Sequence, residues 1–194
     1  MSDAGVSLNR STHGLGAPRS AYIKDGEMFR EVTIPMGATG RLFLDSMPGR
    51  REPLERTWDQ VRAEGVSAIV CLAGTDEIRR KSPDYARALA KGATPCPVTV
   101  FEIRDFGVPK DRDAYWALAG NLANRLVAGD SILIHCGAGV GRTGSLAACV
   151  LLALGCAPDA ALRAVSEAGS RAETPWQRRL ISWCSAQSPA AYRG

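Results

Sequence analysis

One cysteine and one arginine bracket five small, neutral residues in the run His135-Cys136-Gly137-Ala138-Gly139-Val140-Gly141-Arg142-Thr143-Gly144. Ionised, the Cys136 side chain is a strong nucleophile. Arg142 is a permanent cation whose planar fork matches two oxygens of a tetrahedral oxyanion. Gly137, Gly139 and Gly141 let successive amides turn inward as an anion-binding nest with no Cβ in the way, and Ala138 and Val140 add little bulk. A thiol ringed by amides and close to a guanidinium is expected to rest as thiolate. Such a bowl suits a phosphate-sized dianion, so the chemistry it predicts is attack of sulfur on phosphorus through a covalent phosphocysteine.

The flanking segments must aim these groups. Ser131 to Ile134 is a short apolar run that reads as a buried strand, and Ser145 to Leu154, rich in Ala and Leu, reads as a buried helix. A strand-to-helix turn points backbone N–H groups and the positive end of a helix dipole at one place. Two other phosphate loops share parts of this pattern. Gly139 to Gly144 fits the dinucleotide spacing G-x-G-x-x-G, but Ala160 to Gly169 reads as helix, with no second strand ending in an acid. A nucleotide P-loop needs four residues between its glycines and then Lys, whereas Gly137 to Gly141 is one short and Arg follows. Only the phosphatase reading uses the cysteine.

Composition bounds the rest. The chain has 194 residues, 45% apolar and 23% charged, enough for one domain with a real core. Its net charge of +4 is mildly basic, with no Lys/Arg run of the kind that meets nucleic acid or a membrane surface. No apolar stretch reaches the length of a span, and the N-terminus lacks the pattern of a signal peptide. The six cysteines are irregularly spaced without a C-x-x-C pair, and Cys149, Cys156 and Cys184 fall in apolar helical stretches as small hydrophobes. A thiolate nucleophile needs reducing surroundings, which points to the cytoplasm. No metal or other cofactor is implied, since Arg142 and the amides already supply the positive site. The expected partner is a phosphorylated protein or peptide, with neither nucleic acid nor membrane, and the chain is expected to be a monomer.

Along the chain, residues 1–20 read as a loose polar arm that contains an idle His13, leaving 21–194 as the domain. Strands are expected over Met28 to Ile34 and Arg41 to Asp45, with Pro35-Met36-Gly37 turning between them. Further strands are expected over Ser67 to Leu72 and Val98 to Ile103. Helices are expected over Pro53 to Glu64, from Ser82-Pro83 to Lys91, from Asp111 or Arg112 to Ala128, over Pro158 to Ala168 and over Pro175 to Ala186. Strands alternating with helices predict an α/β domain with a central, mainly parallel sheet of about five strands and helices on both faces.

His-Cys, five residues, Arg-Thr-Gly resembles the signature of cysteine-dependent protein tyrosine and dual-specificity phosphatases. Asp105 to Asp111 and Ser46-Met47-Pro48-Gly49-Arg50 resemble segments of the kinase-associated phosphatase branch, so the likeness runs from about Arg41 to Ala186. The resemblance implies the protein tyrosine phosphatase-like fold and a phosphatase of phosphotyrosine, with phosphoserine and phosphothreonine as further substrates. A non-protein phosphate such as an inositol phosphate, a phosphoinositide or an RNA 5′-end is an alternative, lowered by the lack of Lys or Arg inside the loop; a phosphate-binding module without turnover is another.

A leaving alkoxide or phenoxide needs a proton, and Asp105 in the Gly/Pro-bounded run Arg104-Asp105-Phe106-Gly107-Val108-Pro109 is the candidate acid, although no Trp-Pro-Asp triplet is present. Asp111 and Asp113 compete for that part but suit the start of the next helix. Thr143 follows Arg142 with a hydroxyl suited to the departing thiolate. The resemblance further implies that the His135 ring bonds backbone near the loop, that Gln177 holds the hydrolytic water, and that Arg171 stands near the substrate's entrance. It also implies that Cys71 can protect Cys136 as a disulfide. Thr174 and Gln177 form a capping box in their own right, and Cys71 is equally a buried strand cysteine. Arg50 and Arg51 are candidates for a substrate rim.

Overall fold

β-Branched and aromatic residues gather in five short strands that form one mixed sheet, ordered β1-β2-β5-β3-β4. They are β1 (Arg30–Val32), β2 (Arg41–Asp45), β3 (Ala68–Cys71), β4 (Val98–Val100) and β5 (Ser131–His135). The computed structural model describes residues 29–35 and 37–188. The arm of residues 1–20, His13, Met28 and Met36 lie outside the described residues. β1 is antiparallel to β2, while β2, β5, β3 and β4 are mutually parallel. β5 is therefore paired on both sides, and its last residue, His135, lies level with Asp45 and with Cys71.

Side-chain alternation along the strands divides the core into two layers. Leu42, Leu44, Val70, Ile132 and Ile134 pack with residues of α4 (Arg112–Val127), α5 (Gly141–Ala153), α6 (Pro158–Glu167) and α7 (Pro175–Gln187), among them Tyr115, Leu146, Val165 and Ile181. Phe43, Ile69, Cys71 and Leu133 face the other way, against Trp58 of α1 (Leu54–Ala63), Ile78 of α2 (Thr75–Lys81) and Tyr85 of α3 (Pro83–Lys91). Helices thus cover both faces, as the run of apolar strands requires. Among the described residues no helix is long and apolar enough to cross a membrane.

Four elements differ from the sequence expectation, the first being β1, which was expected to reach Ile34 and ends at Val32. The strand expected to reach Ile103 ends as β4 at Val100, although the N–H groups of Phe101 and Ile103 still donate to the carbonyls of Cys71 and Leu72. α2 was not expected: Thr75-Asp76-Glu77-Ile78-Arg79-Arg80-Lys81 buries only Ile78 and so has no apolar period. α5 begins at Gly141, before the apolar run at Ser145, which places Arg142 in its first turn. Ser82 stands before Pro83 as expected, but its buried hydroxyl has no partner among the described residues. Asp111 does cap α4, accepting from the N–H groups of Asp113 and Ala114.

At the end of β5, His135 is wholly buried, with its ring edge-on to that of Tyr85. Its Nδ1–H donates to the Cys136 carbonyl at 3.3 Å, so Nε2 accepts from the Tyr85 hydroxyl at 3.0 Å. Both bonds suit the neutral ring. Burial, with the nearby Arg142 charge adding to it, pushes the imidazole down to about 4, against the opposing pull of the Cys136 carbonyl. The folded ring thus binds its proton less readily than the unfolded one, which titrates near 6.5. Stability from neutral His135 is present above about pH 6.5 and is lost as pH falls through about 4, a span worth on the order of 3 kcal/mol. Urea midpoints measured between pH 7.5 and 4.5 should fall in the wild type and fall less in His135→Gln; parallel slopes would remove His135 as the cause.

Candidate active site

The loop from Cys136 to Gly141 joins the carboxyl end of β5 to the first turn of α5. Gly139 has φ +74°, and a Cβ there would overlap the carbonyl of Asp45 at the end of β2. Its N–H donates to Cys136 Sγ at 3.2 Å, so one amide of the nest is already turned on the sulfur. Cys136 is 2% exposed. A Cβ at Gly137 would meet the Glu77 carboxylate, and one at Gly141 the Glu173 carboxylate, so these glycines also make room for acids at the loop's edge.

Arg142 is equally buried at 2% exposure, and a charge there needs full pairing. Glu77 supplies it as a two-pronged clamp: Nη1 lies 2.7 Å from Oε2 and Nη2 lies 2.9 Å from Oε1. Nη1 also donates to the Ile103 carbonyl at 2.9 Å, and Nη2 to Asp105 Oδ1 at 2.8 Å. Lys81 Nζ closes the cluster, 2.6 Å from Glu77 Oε1 and 3.2 Å from Asp105 Oδ2. Burial works to raise the Glu77 carboxyl, but its bonds from Arg142 and Lys81 outweigh that and bring it down to about 2. Glu77 therefore stays ionised at any working pH.

Sequence reasoning missed Glu77 and Lys81 together with the helix that carries them. The available signal was electrostatic. Acids at 76 and 77 and bases at 79, 80 and 81 follow the helix dipole, and Glu77 and Lys81 stand at i, i+4 on one face.

Asp105 is brought against Arg142. It stays half-exposed, in a tight turn whose Gly107 N–H donates to the Arg104 carbonyl at 2.8 Å. Phe106 beside it adopts φ +57° and is 61% exposed. Gln177 is buried and forms the capping box with Thr174, its Oε1 accepting from the N–H of Glu173 at 2.8 Å and of Thr174 at 3.3 Å. Its Nε2 donates to the Gly107 carbonyl at 3.2 Å, which ties α7 to the Asp105 loop. A Cβ at Gly141 would also contact its Oε1, so Gln177 lies against the phosphate loop as well.

Not every expected contact is made. Thr143 Oγ1 is buried with no partner among the described residues, so it makes no bond to Cys136 Sγ here. Cys71 is a free thiol that donates to the Ala73 carbonyl at 3.5 Å; burial, with the charge of nearby Cys136, pushes it up to about 12. Arg50 is exposed, and its Nη1 donates to the Gly137 carbonyl at 2.5 Å. Arg171 is exposed, with its backbone pressed on Gly144 of α5.

Solved structures share this architecture. A kinase-associated phosphatase, its catalytic cysteine replaced by serine, matches with TM-score 0.70 at 19% identity over 84% of this chain and 96% of its own. Tk-PTP in its active form matches with TM-score 0.61 at 24% identity over 78% and 98%. PTPMT1 in complex with PI(5)P matches with TM-score 0.59 at 18% identity over 75% and 90%. Among curated proteins, none matches the chain in sequence. The model of one phosphatase family fits residues 41–191, which include Cys136, Arg142, the Glu77 clamp and Asp105. The chain belongs to that family, described as the Swiss Army Knife protein DSP-PTPase phosphatase domain.

Proposed function

We propose that the protein hydrolyses phosphomonoesters through a phosphocysteine, with phosphotyrosine in proteins as the leading substrate and phosphoserine or phosphothreonine as further ones. The observation that carries this is Cys136 Sγ sharing one loop with a guanidinium whose direction Glu77 fixes. Nη1 of Arg142 is used up by Glu77 and Ile103, and Nε has no partner among the described residues. A phosphoryl group therefore binds along the Nε–Nη2 edge and takes Nη2 from Asp105, while the N–H groups from Gly137 to Arg142 receive its other oxygens. Asp105, released from Arg142 and brought beside the charge of the phosphoryl group, takes up a proton from solvent and turns to the ester oxygen.

Sulfur then attacks phosphorus in line. The P–S bond forms as the P–O bond breaks, and the leaving phenoxide takes the proton of Asp105. In the second half Asp105 accepts a proton from water, the water oxygen bonds to phosphorus, and the thiolate leaves. The unpaired Thr143 hydroxyl is suited to receive that thiolate, and the second Nε2 proton of Gln177 to hold the water. The exposed ring of Phe106, held beside Asp105 in a conformation few non-glycine residues adopt, fits the phenyl ring of phosphotyrosine. Lys81 at the edge of the loop favours a second reading, a phosphoinositide or other non-protein phosphate. A thiolate catalyst of this kind works in reducing surroundings, hence the cytoplasm, and nothing in the proposed chemistry requires a second copy of the chain or a cofactor.

With p-nitrophenyl phosphate the wild type should turn over and Cys136→Ser should not; phosphate release at the wild-type rate by the serine variant would end this reading. Asp105→Asn should lower kcat by about 10²–10⁴-fold on phosphotyrosine peptide, and less on p-nitrophenyl phosphate, whose leaving group needs little protonation. An equal effect on both esters would deny Asp105 the role of acid. Phe106→Ala should raise KM for phosphotyrosine peptide about 3- to 10-fold, the worth of one ring contact, and leave β-glycerophosphate unchanged. Steady-state kinetics on these substrates and on inositol phosphates ranks the two readings by kcat/KM.

A further inference from the structure

Two carbonyls of the phosphate loop are held from outside by segments far away in the chain. The Gly137 carbonyl receives Arg50 Nη1 at 2.5 Å and the Met47 N–H at 3.3 Å. The Gly139 carbonyl receives Arg30 Nη2 at 2.6 Å and the Ser170 hydroxyl at 2.7 Å. Arg30 lies in β1, at the edge of the sheet. Its Nη1 donates to the Gly169 carbonyl at 2.7 Å, the Ala168 carbonyl at 3.2 Å and Ser170 Oγ at 3.2 Å. Because Ser170 Oγ accepts from Arg30, its own proton is directed at the Gly139 carbonyl. The guanidinium is thus seated just past the end of α6, where a cation is favoured, and reaches from there into the loop. It lies close to Asp45 and to Cys136.

In a trans peptide unit the carbonyl and the next N–H point in opposite directions. Holding the Gly139 carbonyl outward therefore turns the Val140 N–H inward, and holding the Gly137 carbonyl does the same for Ala138. Among the described residues neither N–H donates to any group. We propose that Arg30, seated against Ser170, is a positioning residue of the phosphate loop, aiming the Val140 N–H at the phosphoryl group by fixing the Gly139 carbonyl. The inference rests on the phosphatase reading above and adds to it a residue outside the loop, the acid and the Glu77 clamp. A phosphoryl group in transit spreads charge over its equatorial oxygens, so a misaimed N–H costs more in the transition state than in the bound ester. The effect belongs mainly in kcat.

Arg30→Met keeps most of the stem and removes every donor; Arg30→Lys keeps the charge but cannot span the same acceptors. Against p-nitrophenyl phosphate, Arg30→Met should lower kcat about 10- to 100-fold with KM changed less than about threefold. Arg30→Lys should recover part of the loss, and Ser170→Ala should cost about 3- to 10-fold. The double variant should be no worse than Arg30→Met, because both donors act on one carbonyl. Calorimetric binding of inorganic phosphate, a ground-state ligand, should weaken about two- to threefold in Arg30→Met. Circular dichroism and cooperative unfolding identify the folded variants, and if Arg30→Met does not fold, Arg30→Lys and Ser170→Ala decide. Folded variants with wild-type kcat and phosphate affinity overturn the proposal, as do additive losses in the double variant. A wild type that binds phosphate without turnover refutes the phosphatase reading, while the binding series still judges Arg30; a wild type that does neither overturns both.

Discussion

A guanidinium that cannot lose its proton, buried to within a few per cent at the start of α5, is the constraint the site is built around. Removing such a charge from water costs several kcal/mol unless it is matched by an opposite charge in good geometry. Glu77 matches it with two parallel bonds and is itself held by Lys81, so the clamp stays ionised. Asp105 completes a cluster of two cations and two carboxylates. Only Asp105 in that cluster is half-exposed, and it is the member an incoming dianion can replace without leaving a buried charge unpaired. One set of ion pairs therefore both fixes Arg142 and leaves Asp105 as its displaceable partner.

Sheet topology explains why these groups meet. In parallel strands the carboxyl ends share one rim, and ligands settle there. β5 delivers the Cys136 loop to the middle of that rim. β2 delivers Asp45 to Arg50 on one side, β3 leads into Glu77 and Lys81, and the chain beyond β4 brings Ile103 and Asp105. α5, buried along nearly its whole length, anchors the loop from below, and its contact with the backbone of Arg171 leaves no room for a side chain at Gly144. Arg30 reaches the loop from the antiparallel edge strand, on the other side of β2 from β5.

The parts legible in the sequence are those whose signal is local. The nest, its cysteine and arginine, and the apolar runs on either side are contiguous, and the same holds for the capping box of Thr174 and Gln177 and for the cap of Asp111. Layering of helices on both faces followed from strands alternating with helices along the chain. What stayed hidden depends on partners far apart in sequence. Glu77 looked like one acid in a charged run, because α2 is held by a single buried Ile78 and by charge order rather than by an apolar stripe. Arg30 and Ser170 bear no mark of their tie to Gly139 until the chain is folded. The bond from Arg50 to the Gly137 carbonyl likewise joins residues far apart in the chain. β4 ended early because its outer residues, Thr99 and Val100, are exposed and bury little that would extend it.

The whole account depends on Cys136 being charged at rest. The most direct measurement is the rate of its alkylation by iodoacetamide between pH 5.5 and 8.5, followed on the peptide that contains it. A resting thiolate predicts a rate at pH 6 close to that at pH 8, slowed throughout by inorganic phosphate. A rate that climbs about tenfold per pH unit across that range, as an ordinary thiol's does, would contradict it.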